Sequence, residues 1–357
     1  MARLQVSVNR LRKGMVLAED VYTKTGVILV AGGSPVTKEV VNLLSRHFID
    51  SVSVEYQPTS QAEVSPEEEP IVDEQQFEEF KETFEVAENT LSDNLKDIVY
   101  NSKDVNVPLL LDTMNGIIGK SNGETNLCNM LMMMKKNTES LYTHSINVSM
   151  FGQILAKWVN CSREEIENVA VAGLLHDIGI LKFSDDTLES FKFRDELGGG
   201  KYDKHVIYGY NMIRDQNIDN DIKQAVLTHH ERMNGSGFPL KIKQADINKI
   251  SRIIAIADIY DTYTMKEKGV EPMAVFNALK MMEDINFNSI LDSQILMVFI
   301  QHIADTLIRH RVLLSDGRKG QVVMINKYNV SKPLVQVGPM FIDLAKEKNL
   351  FVRELLD

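Results

Sequence analysis

The chain has 357 residues, 44% hydrophobic and 25% charged, an ordinary globular composition with length for two or three compact units. Its 39 basic and 50 acidic residues leave a net charge of -11, which argues against polymeric nucleic acid as a partner. No apolar run approaches the roughly 18 residues of a membrane span, and the opening MARLQVSVNRLRKG lacks the hydrophobic stretch of a secretory signal. A cytoplasmic protein with no membrane partner is expected.

Residues 1–56 mix short β-type runs at 27–30 and 52–54 with a helical pattern over 38–44, the signature of a small α/β or β-rich N-terminal module. Residues 57–79 read as an acidic linker, since the stretch EVSPEEEPIVDEQQFEE offers little to bury. A helical connecting region follows over 80–135, with helices expected at 80–99, 108–118 and 126–134; Met132, Met133 and Met134 there read as core filler. Cys128 and Cys161 lie far apart and form no ligand motif, which fits a reducing compartment.

The segment 136–306 is helical and carries five of the eight histidines. A helix over 141–159 bears His144 near its start. Ser162 with Glu165 forms a capping-box pattern ahead of Ile166, Val169, Leu174 and Ile178, so His176 and Asp177 fall near the end of a buried helix. His205 opens a third helix ending near Arg214, His229 and His230 close a fourth begun at Asp219 or Asn220, and Asp258 and Asp261 share one face of a fifth. Residues 307–357 turn β-like again after Asp316-Gly317, with a short helical tail expected over 341–348. The expected fold is mainly α: an all-helical bundle flanked by a β-containing N-terminal module and a β-containing C-terminal extension.

Imidazole and carboxylate together suit first-row transition metals, and five imidazoles with two or more acids exceed what one tetrahedral ion can use. The two oxygens of a carboxylate such as Asp177 can bridge two ions. Ions roughly 3.5–4 Å apart can activate a bridging water and clamp a phosphate oxygen, which would let an acidic protein accept an anionic substrate. The scattered His47, His302 and His310 read as ordinary core or surface residues, and Asp261 reads equally as a cap or as half of a salt bridge on a solvated face.

The ordered set Thr143-His144-Ser145, Leu175-His176-Asp177-Ile178-Gly179, His205, His229-His230-Glu231-Arg232-Met233-Asn234-Gly235-Ser236-Gly237-Phe238-Pro239 and Ala257-Asp258-Ile259-Tyr260-Asp261 resembles the HD-GYP family of HD-domain phosphohydrolases. The resemblance implies an all-helical HD-type domain that hydrolyses cyclic di-GMP, or a related cyclic dinucleotide, to linear pGpG or GMP with two divalent ions, iron or manganese. It implies His144, His176, Asp177, His205, His229, His230 and Asp258 as metal ligands, with Asp177 bridging and His176 and Asp177 at the catalytic centre. Lys182, Asn234, Gly235, Gly237, Phe238 and Pro239 are the implied substrate contacts. A second copy of the chain or signalling proteins are the macromolecular partners left open.

Several positions depart from the family pattern. Ile180 stands where a lysine usually follows the HDIG run, Asn234 replaces an aspartate and Phe238 the tyrosine of the GYP signature, Glu267 falls where an arginine often contacts the nucleotide, and Ser140 occupies the place of a third-metal glutamate. A two-metal phosphodiesterase of weakened activity is expected. The alternative is a nucleotide- or protein-binding signalling module that keeps the metal site without useful turnover.

Overall fold

A computed structural model describes residues 3–8, 11, 15–22, 28–47, 49–56, 71–134, 140–184, 193, 202–266 and 270–356. The chain divides into two units, Met1–Glu69 and Pro70–Asp357. Most of the acidic linker, and Glu267, lie outside the described residues.

The first unit contains β1 (Arg3–Ser7), β2 (Met15–Leu17), β3 (Val21–Tyr22), β4 (Ile28–Val30), α1 (Lys38–Arg46) and β5 (Ser51–Tyr56). Strands β1, β5 and β2 form an antiparallel sheet with β5 central, and β3 pairs with β4. On β5 the period-2 alternation buries Val52 and Val54, which join Leu17, Val36 and Leu44 in one small core.

The second unit is mainly helical. Among the described residues its helices are α2 (Glu74–Asn101), α3 (Val107–Ile118), α4 (Glu124–Met134), α5 (Leu141–Trp158), α6 (Arg163–Leu175), α7 (Lys204–Ile213), α8 (Asn220–Thr228), α9 (Lys249–Thr264), α10 (Val275–Ile285) and α11 (Ser293–Thr306). Helix α2 begins at Glu74 rather than at Phe80. Asp73 caps it by accepting from Gln76 N at 2.8 Å, and a stripe of Phe80, Phe84, Ala87, Leu91 and Leu95 buries one face, so acids read as linker occupy its solvated side. The capping box at Ser162 and Glu165 forms as its spacing predicts, with Oγ of Ser162 accepting from Glu165 N at 3.2 Å.

Helices α5 and α9 are buried almost all round, so they form the centre of the bundle, and α6 packs on α5. An antiparallel sheet in the order β10-β6-β7-β8-β9 closes the chain, from β6 (Arg311–Leu314), β7 (Lys319–Met324), β8 (Leu334–Val337), β9 (Met340–Asp343) and β10 (Val352–Leu355). Its Val312, Leu314, Val322, Val335 and Val352 share the main core with the helices. The helical tail expected over 341–348 is instead strand β9 and a single 3-10 turn, Leu344–Lys346, because 340–343 find ladder partners on β8.

Candidate metal centre

Five elements of the bundle deliver the histidines and acids to one buried place. His144 projects from the first turn of α5, whose cap Ser140 accepts from Thr143 N at 3.0 Å. Glu88 of α2 reinforces that turn through Thr143 Oγ1 at 2.9 Å and Ser140 Oγ. His176 is the C-terminal cap of α6 and Asp177 follows it; His205 lies in the first turn of α7, His229 caps the end of α8, and Asp258 and Asp261 lie on α9. All are buried, as is His230.

Close backbone packing makes this convergence possible at two glycines. A Cβ at Gly179 would overlap the carbonyl oxygen of His205, so the turn after Asp177 presses directly on α7. A Cβ at Gly237 would collide with backbone atoms of His230, Glu231 and Arg232, so the glycine-rich turn lies flat on the histidine pair.

Asp177 is the centre of the arrangement. Its Oδ2 lies 3.1 Å from His176 Nε2 and 3.7 Å from His144 Nε2, while its Oδ1 lies 3.5 Å from both His205 Nε2 and His229 Nε2. Two donor groups result, His144-His176-Asp177 and Asp177-His205-His229-His230, with Asp177 common to both. Asp258 Oδ1 joins the first side, 3.3 Å from His144 Nε2.

The outward ring nitrogens fix the inward ones. His176 Nδ1 pairs with Gly173 O at 2.8 Å, His205 Nδ1 with Tyr202 O at 2.7 Å, and His229 Nδ1 with the Ala225 and Val226 carbonyls at 3.2 Å. A carbonyl only accepts, so each Nδ1 carries the proton and each Nε2 offers its lone pair to the centre. Asp261 performs this service for His144, with Oδ2 2.8 Å from Nδ1. That corrects the expectation of a cap or a solvated salt bridge: Asp261 is fully buried.

The donor chemistry fits divalent transition metals. Among the described residues, Nε2 of His144, His176 and His229, both oxygens of Asp177 and Oδ2 of Asp258 are buried without a hydrogen-bond partner. Each such atom costs about 1–3 kcal/mol if left unsatisfied, and a cation would satisfy the whole set. Burial and neighbouring imidazolium charge outweigh the pull of Asp177 and hold His229 down to about 4, and burial also lowers His205 and His230. Burial opposes protonation of His144 too, but the adjacent Asp258 and Asp261 outweigh it and raise that ring to about 10. Burial likewise disfavours charge on Asp177, yet the imidazoles of His176, His229 and His205 keep its carboxyl well below the usual range.

The other expected contact residues divide. Phe238 lies at the centre, stacked on His230 with ring centroids 4.7 Å apart, ahead of a cis Phe238-Pro239 bond. Asn234 shapes the turn: its Oδ1 accepts from Ser236 N at 2.9 Å, and its amide donates to Asn288 O at 3.0 Å, a bond an aspartate could not make. Lys182 is turned to α2 instead, donating from Nζ to Val99 O at 3.1 Å. Ile180 is buried in an apolar cluster with Phe193 and Met265. Sequence reading gave no role to Glu88 or Phe193; the Phe193 ring packs 4.3 Å from that of His144.

Residues 127–295 match the HD domain family. The chain is 26% identical over 208 residues to the cyclic di-GMP phosphodiesterase PA4108 of Pseudomonas aeruginosa, covering 58% of this chain and 50% of that protein. It is 28% identical over 149 residues to the 3'3'-cGAMP-specific phosphodiesterase 2 of Vibrio cholerae, covering 41% and 28%. Against the 3'3'-cGAMP-specific phosphodiesterase 1 of the same organism it is 29% identical over 178 residues, covering 48% and 41%. The chain thus spans half or less of the length of these relatives. Among solved structures it is similar to Bd1817, an HDG"Y"P protein from Bdellovibrio bacteriovorus, with a TM-score of 0.48 at 15% identity, covering 85% of this chain and 99% of that one.

Proposed function

We propose, on the premise that the chain carries an HD domain and is a distant homologue of HD-GYP cyclic dinucleotide phosphodiesterases, that it is a metal-dependent phosphodiesterase that opens cyclic di-GMP or a related cyclic dinucleotide to pGpG or GMP. The observation that carries this reading is the position of Asp177, whose two oxygens face two different histidine pairs.

Two divalent ions, iron or manganese, would supply Lewis acidity toward phosphate oxygens and a water acidic enough to be a nucleophile near neutral pH. His144, His176, Asp177 and Asp258 would hold one, and Asp177, His205, His229 and His230 the other. Asp261 and the backbone carbonyls keep the imidazoles turned inward. Asn234, Gly235, Gly237, Phe238 and Pro239 form the proposed wall against which the nucleotide lies; the stacking of Phe238 on His230 supports that assignment. Lys182 would have to leave Val99 O to contribute.

One observation favours the second reading, a nucleotide- or protein-binding module of weak turnover. Ile180 is 2% exposed among apolar neighbours, so no cation reaches phosphate from that place. The deciding experiment is to incubate protein purified anaerobically with Fe(II) or Mn(II) with cyclic di-GMP and with 3'3'-cGAMP. Linear product that disappears in His176→Ala and Asp177→Ala supports the phosphodiesterase, whereas tight binding with no product over long incubation favours the module.

A further inference from the structure

Arg232 follows the histidine pair and is buried, only 6% exposed. Its Nη1 donates to the carbonyl oxygens of His229 at 3.1 Å and Glu231 at 3.2 Å. Among the described residues its Nε and Nη2 donate to nothing, although a guanidinium carries five N–H donors in a fixed fork. Clamping the turn after α8 therefore uses one corner of the group and leaves its Nε–Nη2 edge unspent. Burying a cation this way is costly unless an anion meets it.

The charge is held beside the second donor group, with Nη1 on the carbonyl of its member His229. It acts on His230 of the second group, and Asp258, beside His144 of the first, is the carboxylate that acts on it most strongly. The turn through Gly237 packs directly on the Arg232 backbone, and Nη1 is held on the carbonyl of His229, so the guanidinium is anchored to the same turn that carries the histidine pair. Lys182, by contrast, is engaged with Val99 and position 180 is apolar.

We propose that Arg232 is a phosphate-binding residue of this centre, its Nε–Nη2 edge holding two oxygens of one substrate phosphate while Nη1 stays anchored to the backbone. A planar fork matches a phosphate's oxygens in a way that a point charge does not. The assignment rests on the phosphoester reading of the site. It explains how a centre with an apolar residue at position 180 still presents a cation to an anionic ligand.

The test uses full-length, Mn(II)-loaded protein, with metal content and melting temperature measured beside the calorimetric affinity for inorganic phosphate. Arg232→Met is expected to keep its metal and to weaken phosphate binding by ten-fold or more. Arg232→Lys, which keeps the charge and loses the fork, is expected to fall between that variant and wild type, and it decides the matter alone if Arg232→Met does not fold. Phosphate affinity equal to wild type in a metal-replete variant overturns the assignment, as does wild-type protein that binds no phosphate. If no cyclic dinucleotide is cleaved but phosphate affinity still depends on Arg232, the phosphodiesterase reading fails and the anion site stands.

Discussion

The Nδ1 atom of His144 on α5 lies 2.8 Å from Oδ2 of Asp261 on α9, and both side chains are fully buried. Asp261 thereby aims His144 Nε2 at Asp177 and Asp258. Losing a partner of this kind typically costs about 10- to 100-fold in metal affinity. Asp261→Asn, which cannot both keep the size and accept the same proton as strongly, is expected to weaken metal binding in that range, measured by competition with a chelating dye. Unchanged affinity would assign Asp261 to packing alone.

Asp177 is common to both donor groups, so its loss should be felt twice. Asp177→Ala is expected to bind neither ion tightly, whereas His205→Ala weakens one group and leaves His144 and His176 in place. Elemental analysis after desalting distinguishes the two variants, and Asp177→Ala protein that retains a full metal complement would contradict a shared carboxylate.

The metal-free protein should be most stable between two acid–base limits. Burial holds His229 down to about 4, against an ordinary value of 6.5. Between those values the unfolded chain binds the proton and the folded one does not, so stability falls as pH drops from 6.5 toward 4. His144 is raised to about 10 by Asp258 and Asp261, despite its burial. Its contribution is complete below 6.5 and is lost as pH rises toward 10. Melting temperatures of chelator-stripped protein are expected to decline on both sides, and a flat profile from pH 5 to 9 would contradict these environments.

Gly179→Ala places a methyl group where the His205 carbonyl oxygen lies. Forcing extra atoms into such packing costs roughly 1–3 kcal/mol or more. The variant is expected to melt lower and to lose metal preferentially from the group containing His205. A melting temperature and metal content matching wild type would show that α7 can move away freely.

How much of this the sequence reveals depends on the kind of signal. The helices of the histidines follow from apolar spacing and caps, and the Ser162-Glu165 box forms as its spacing requires. The burial of Asp261 does not follow, because α9 is buried almost all round and its spacing marks no outer face. The helix expected over 341–348 fails for a different reason: a short apolar stretch takes its structure from whatever pairs with it, here β8. Glu74, Glu78 and Glu79 look like linker by charge, yet the stripe beginning at Phe80 recruits them into α2. Arg232 lies within the run from His229 to Pro239, but only the three-dimensional structure reveals an arginine buried with one edge unspent.

Titrating Mn(II) into metal-free protein while following cyclic di-GMP hydrolysis tests the central claim most directly. A centre divided about Asp177 predicts little product at one equivalent and full activity only as the second is bound. Saturation at one equivalent, or two bound ions with no product, would contradict it.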